Sequence, residues 1–134
     1  MSSDTKKRIL VVDDEPAMQE IAQALLERMG WEAIPALNVA TAVQVLRAKP
    51  LPDLVVLDLM LPDIDGLELL RQMREKPVFD NLPVVILSAL ADPERIRKGL
   101  DLGADRYITK PTMTHNLIPT VSDLLRNGRP KNRP

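Results

Sequence analysis

The chain has 134 residues, a net charge of −1 at pH 7, no cysteine and a single histidine, His115. A chain of this length builds one core; without thiols it has no disulfide or thiolate chemistry, and one histidine leaves any metal to carboxylates, which suits Mg²⁺ or a similar hard cation. Near-neutral charge also gives no field for gripping nucleic acid or an anionic membrane. The basic run Lys6-Lys7-Arg8 precedes only Ile9 to Val12 before acid returns, too short for a secretory signal core. The longest apolar run, Leu82 to Ala91, is about half a membrane span. A soluble cytoplasmic protein is expected.

In chain order, Arg8 to Val12 is a short β-branched apolar run ended by Asp13-Asp14-Glu15, the pattern of a buried strand. Pro16 suits the first turn of a helix whose inner face is predicted to be Met18, Ile21, Ala22, Leu25 and Met29, with Gly30 as the stop. Trp31 to Pro35 reads as a second strand. Asn38 then caps a helix with Val39, Ala42, Val43 and Leu46 inward, closed by Lys49-Pro50.

Leu54 to Leu57, bounded by Pro52-Asp53, predicts a strand buried on both faces, with Asp58 emerging at its end. Leu67, Leu70 and Met73 mark a third helix that runs out at Lys76-Pro77. Pro83 to Ser88 is a fourth strand, and Asp92-Pro93 opens a fourth helix carrying Ile96 and Leu100 up to Gly103. Arg106 to Thr109 is a short fifth strand ending at Lys110-Pro111. The last helix carries Leu117, Val121, Leu124 and Leu125 to about Arg126. Pro119 would break that helix if it began early, so the spacing predicts a late start with Asn116 as the cap. Residues 1–7 form an extension, 8–126 one domain, and 127–134 a polar tail expected to be disordered.

Alternating strands and helices predict a (βα)₅ α/β unit: a doubly wound parallel sheet with helices on both faces. In such a sheet Asp13, Asp14, Asp58, Ser88 and Lys110 all fall at the carboxyl edge, where ligands bind. Taken singly, each has an ordinary role. The acid pair can cap a helix, Ser88 can cap a turn, and Lys110 can be a solvated charge. Together, three crowded carboxylates repel unless a cation sits among them, and a divalent metal then favours a phosphoryl group that Ser88 and Lys110 can help hold. Asp13 and Asp14 suit metal binding. Asp58, on the central strand between them and the Ser88/Lys110 side, is assigned as the carboxylate attacked into an aspartyl-phosphate.

With these motifs in place, the chain resembles the receiver domains of bacterial two-component response regulators over about Arg8 to Arg126. The matching stretches are Val11-Val12-Asp13-Asp14-Glu15, Asp58 to Gly66 (DLMLPDIDG), Ser88-Ala89, and Gly103 to Pro111 (GADRYITKP). The resemblance implies a flavodoxin-like sheet of order 2-1-3-4-5. It implies a phosphoacceptor at Asp58, served by a histidine kinase or histidine phosphotransfer protein. Mg²⁺ would be surrounded by Asp13, Asp14, Asp58 and the Met60 carbonyl, with Lys110 on the phosphoryl group and Ser88 and Tyr107 as a switch pair. Phosphorylation would then change the face formed by helix four, strand five and helix five for a downstream protein target, and the Lys110-Pro111 bond would be cis. On this reading the protein catalyses its own phosphotransfer and dephosphorylation rather than turnover of a free substrate. Arg106 stands where relatives that pair like winged-helix transcription factors usually carry a second acid, which argues against that mode of pairing. Thr112 replaces a common aromatic.

The output is expected to be protein contact by a stand-alone receiver. The alternative is the receiver part of a longer regulator with an effector domain, for which Gly128 to Pro134 would be a linker. A Mg²⁺-dependent phosphatase with Asp58 as nucleophile is disfavoured, because Met60 occupies the place of the needed acid/base. Flavin binding is disfavoured because Asp13-Asp14-Glu15 would repel its phosphate.

Overall fold

The structure is a computed structural model that describes residues 6–130. Its elements are β1 (Arg8–Val12), α1 (Pro16–Glu27), β2 (Glu32–Ala36), α2 (Val39–Arg47), β3 (Leu54–Leu57), α3 (Gly66–Arg74), β4 (Val84–Ser88), α4 (Pro93–Asp101), β5 (Arg106–Thr109) and α5 (Met113–Asn127). The strands form one parallel sheet in the order β2-β1-β3-β4-β5, as the resemblance implied.

Both faces of the sheet are covered, which explains why its inner strands are apolar without alternation. Leu10, Val12, Val55, Leu57, Val84 and Ile86 point into the core under α2, α3 and α4. Their neighbours Ile9, Val11, Leu54, Val56, Val85 and Leu87 point into the core under α1 and α5. Pro35 is tolerated because β2 is an edge strand. The register sets Val12 beside Leu57 and Leu57 beside Ile86, so the residues following β1 and β3 leave the sheet side by side.

The helices follow their caps. Asn38 Oδ1 accepts the Thr41 N–H at 2.8 Å, Asp65 caps α3 and Asp92 caps α4. Helix α4 is the least embedded: its only buried residue is Gly99, and a Cβ there would lie 2.6 Å from Ile86 Cδ1. Helix α1 differs from its predicted inner face. Gln19, Ala22 and Leu26 are buried, while Ile21 and Met29 are exposed. The true face repeats at three and four residues from Gln19, a polar residue that hydropathy excludes.

Three expectations are corrected. Helix α5 starts at Met113, and Pro119 lies inside it rather than in its first turn. Met113, Leu117, Val121 and Leu124 are buried at helical spacing, and burying that stripe outweighs one missing hydrogen bond. Pro119 and His115, four residues earlier, are both exposed, so the orphaned His115 carbonyl faces solvent. The Lys110-Pro111 bond is trans, and the cis bond lies at Lys49-Pro50. Lys110–Thr112 forms a single 3₁₀ turn closed by the Met113 N–H on the Lys110 carbonyl, a helical geometry built from trans units.

Finally, the polar tail is anchored at its start. Asn127 belongs to α5, and Arg129 donates from Nε to Asp105 Oδ1 at 2.9 Å and from its guanidinium to the Asp80 carbonyl at 2.7 Å. Asp105 is buried and also accepts the Val84 N–H at 2.9 Å and Arg74 at 3.4 Å. A buried carboxylate can recruit a cation from sequence that reads as linker. Residues 131–134 of the predicted tail and 1–5 of the predicted extension lie outside the described residues.

Two measurements of stability follow from these contacts. Pro119→Ala restores an N–H to an exposed helical position and should stabilise the fold by about 2 kcal/mol in urea titration. Asp105→Ala leaves two guanidinium groups and a buried amide without their carboxylate and should cost about 3–5 kcal/mol, against about 1 kcal/mol for Arg129→Ala.

Candidate functional site

The site is built by strand ends. Asp13 follows β1 and Asp58 follows β3, and the Asp58 N–H donates to the Val12 carbonyl at 2.9 Å, locking the two exits together. Both carboxylates are almost wholly buried, at 2 % and 3 % exposure, while Asp14 is exposed. Oxygens of Asp13, Asp14 and Asp58 all lie within 4.8 Å of one another. Asp13 Oδ1 accepts the Glu15 N–H at 2.9 Å, and Asp58 Oδ1 accepts the Met60 N–H at 3.3 Å.

Lys110, delivered by β5, closes the cluster. Its Nζ is 3.0 Å from Asp13 Oδ2, 3.1 Å from Asp58 Oδ2 and 2.8 Å from Glu15 Oε1. Burial works against the ammonium, but the hydrogen bonds to Glu15, Asp13 and Asp58 outweigh it and hold its pKa above the usual lysine value. For Asp13 the balance is reversed. Burial and the Asp58 charge push its pKa up despite the Glu15 amide and Lys110. The pocket is short of positive charge. Three hard oxygen donors around one ammonium fit a divalent cation of the Mg²⁺ type by donor chemistry and crowding.

Asp14, Glu15, Asp58, Met60, Ala89 and Lys110 line a cleft of about 350 Å³. A larger depression of about 590 Å³ runs along α4 but gathers only interspersed surface charges of both signs. Asp13, Asp14, Asp58, Met60 and Lys110 therefore converge, whereas Ser88 and Tyr107 do not line the cleft. Ser88 is buried beneath the cleft surface, where its Oγ accepts the Leu90 N–H at 3.3 Å. Tyr107 donates to the carbonyl of the same Leu90 at 2.7 Å, so both proposed switch residues meet on one loop. Burial raises the Tyr107 pKa, with Ser88 partly offsetting it.

Two residues escaped sequence reasoning. Glu15 is the third acid on Lys110, and its adjacency to the acid pair was the available signal. Gln19 donates its amide to the carbonyls of Val11, Asp13 and Ala36 at 2.9, 3.1 and 3.2 Å, tying the β1 exit to β2. Its three- and seven-residue spacing to Ala22 and Leu26 places it on the inner face.

Known proteins share this fold. Residues 9–122 match the response regulator receiver domain family, and the chain belongs to it. It is 36% identical over 124 residues to the phosphate regulon transcriptional regulatory protein PhoB of Rhizobium meliloti, covering 92% of this chain and 54% of that protein. The chain thus spans about half the length of the curated relatives it matches. Among solved structures, it resembles the receiver domain of Francisella response regulator 1452, with a TM-score of 0.83, 32% identity, and 90% and 98% of the two chains covered. It also resembles the Thermotoga maritima response regulator TrrA in complex with Mg²⁺-BeF, with a TM-score of 0.77, 32% identity, and 88% and 98% covered. The protein is a receiver domain of the two-component response regulator class.

Because the ionised form of Asp13 is disfavoured in the fold, its contribution to stability falls as pH rises through its raised pKa. Without added metal, Asp13→Asn should melt higher than the wild type at pH 7, by about 1 kcal/mol of stability. That gain should shrink as the pH is lowered through the raised pKa of Asp13, where its carboxyl takes up a proton. Thermal denaturation across this range checks both.

Proposed function

We propose that Asp58 is the phosphoacceptor of this receiver. The observation that carries the proposal is the position of Lys110 Nζ, 3.1 Å from Asp58 Oδ2, beside the paired acids Asp13 and Asp14. A carboxylate oxygen of Asp58 attacks the phosphorus of a phosphohistidine on a histidine kinase or histidine phosphotransfer protein. The O–P bond forms as the N–P bond breaks, and the imidazole nitrogen keeps the electron pair and takes a proton from solvent. Lys110 stabilises the negative charge on the transferring group, and the buried walls around Asp58 strengthen that attraction.

Asp13, Asp14, Asp58 and the Met60 carbonyl would hold Mg²⁺, which supplies charge neutralisation for the acids and the phosphoryl group. The bound Mg²⁺-BeF of the TrrA relative supports this assignment. Ser88 and Tyr107 are the proposed switch pair. Drawing Ser88 toward a phosphoryl group removes an acceptor from the Leu90 amide, on the loop whose carbonyl holds Tyr107. Helix α4, whose only fully buried residue is Gly99, is the element such a change would move most easily. The expected output is a downstream protein contact on the α4, β5 and α5 face. There Arg106 is paired with Asp123 at 2.8 Å within the chain. Among the described residues no helix is long and apolar enough to cross a membrane, consistent with action in the cytoplasm.

Intact-mass spectrometry after incubation with Mg²⁺ and acetyl phosphate tests the reading. The wild type should gain one phosphoryl group, Asp58→Asn none, and Lys110→Ala should be labelled at least about tenfold more slowly. No adduct on the wild type, under conditions that label another receiver, would overturn it.

A further inference from the structure

The loop joining β3 to α3 carries Met60 and is fixed at three points. At its base the Gly66 N–H donates to the Leu59 carbonyl at 2.9 Å. A Cβ on Gly66 would collide with the Asp58 carbonyl, so only glycine lets the loop close this tightly. In its middle, Leu61 packs against the core under α2 and α3. At its tip, both oxygens of Asp63 are engaged. Oδ1 accepts the Val39 N–H at 3.0 Å and the Ile64 N–H at 3.1 Å, and Oδ2 accepts the Ala40 N–H at 3.1 Å.

Val39 and Ala40 open α2, whose N-terminus already has a local cap in Asn38. Asp63, 23 residues beyond Ala40 in sequence, adds acceptors for the Val39 and Ala40 amides to a helix start that Asn38 already caps from within. The loop gains more. It holds few buried residues of its own, and the bonds to α2 are what restrain its tip.

We propose that Asp63 is a positioning residue for the metal site: by tying the loop tip to the start of α2, it holds the Met60 carbonyl in place to ligate the cation. This rests on the reading of Asp13, Asp14, Asp58 and Met60 as the Mg²⁺ site. Asp63 touches no reacting atom and acts through the loop backbone, as groups behind a metal's direct ligands do.

Calorimetric titration with Mg²⁺ tests it on the wild type, Asp63→Ala, Asp63→Asn, Asn38→Ala and Asp14→Asn. The Mg²⁺ Kd should rise about fivefold in Asp63→Ala. It should recover most of the way in Asp63→Asn, which keeps an acceptor oxygen, and stay at the wild-type value in Asn38→Ala, which weakens only the α2 cap. Amide exchange over residues 60–64 should quicken in Asp63→Ala alone. Wild-type affinity in Asp63→Ala, or the same rise in Asn38→Ala, overturns the tie. An equal loss in Asp63→Asn and Asp63→Ala also overturns it, because the effect is then the missing charge. Asp14→Asn separates the two readings: if it abolishes Mg²⁺ binding while Asp63→Ala does not weaken it, the metal site stands and the tie falls. Binding unaffected by Asp14→Asn brings down both.

Discussion

Two buried carboxylates sharing one ammonium is the constraint around which this molecule is arranged. Asp13 and Asp58 leave adjacent parallel strands in register, so the sheet that stabilises the protein also forces like charges together. Lys110 relieves part of that repulsion from the far side of β4, bringing β5 into the same contact. Burial, with a lesser contribution from the Asp58 charge, still raises the Asp13 pKa despite Lys110. A site left short of positive charge is one that a divalent cation and a transferable phosphoryl group, bound together, can satisfy.

The remainder of the fold holds that arrangement against its own repulsion. The core under each sheet face leaves β1, β3 and β4 no freedom to slide, since a one-residue slip would turn every inward side chain to the other face. Gln19 adds a polar restraint at the β1 exit, sharing one side-chain amide among the carbonyls of Val11, Asp13 and Ala36. Glu15 keeps Lys110 engaged from the solvent side.

Rigidity is unevenly distributed. At the opposite edge of the sheet, Asp105 gathers Arg74, Arg129 and the Val84 amide into a buried cluster that pins the start of β5. At the carboxyl edge, the loop after β4 is held by the single contacts of Ser88 and Tyr107 to Leu90, and α4 rests on half-buried Ile96 and Leu100 around Gly99. A sheet firm at one edge beside a loosely seated helix at the other directs a local change in charge toward α4.

Most of this was legible in the amino-acid order, for a local reason. Apolar runs ended by Asp13, Asp58, Ser88 and Lys110 define strands and their exits, and parallel topology then obliges those exits to share an edge. Caps such as Asn38 and Asp92 likewise act within one turn. What failed depended on partners far along the chain. Pro119 inside α5 is acceptable only because Leu117 and Val121 are buried and His115 faces water. Arg129 is held by the buried Asp105 and the Asp80 carbonyl, and the Lys110-Pro111 bond follows the turn into α5. The sequence by itself determined the strands, their order of chemistry and the family. Tertiary structure alone decided which polar groups are bonded to which, because those choices depend on burial and distance rather than on neighbours in the chain.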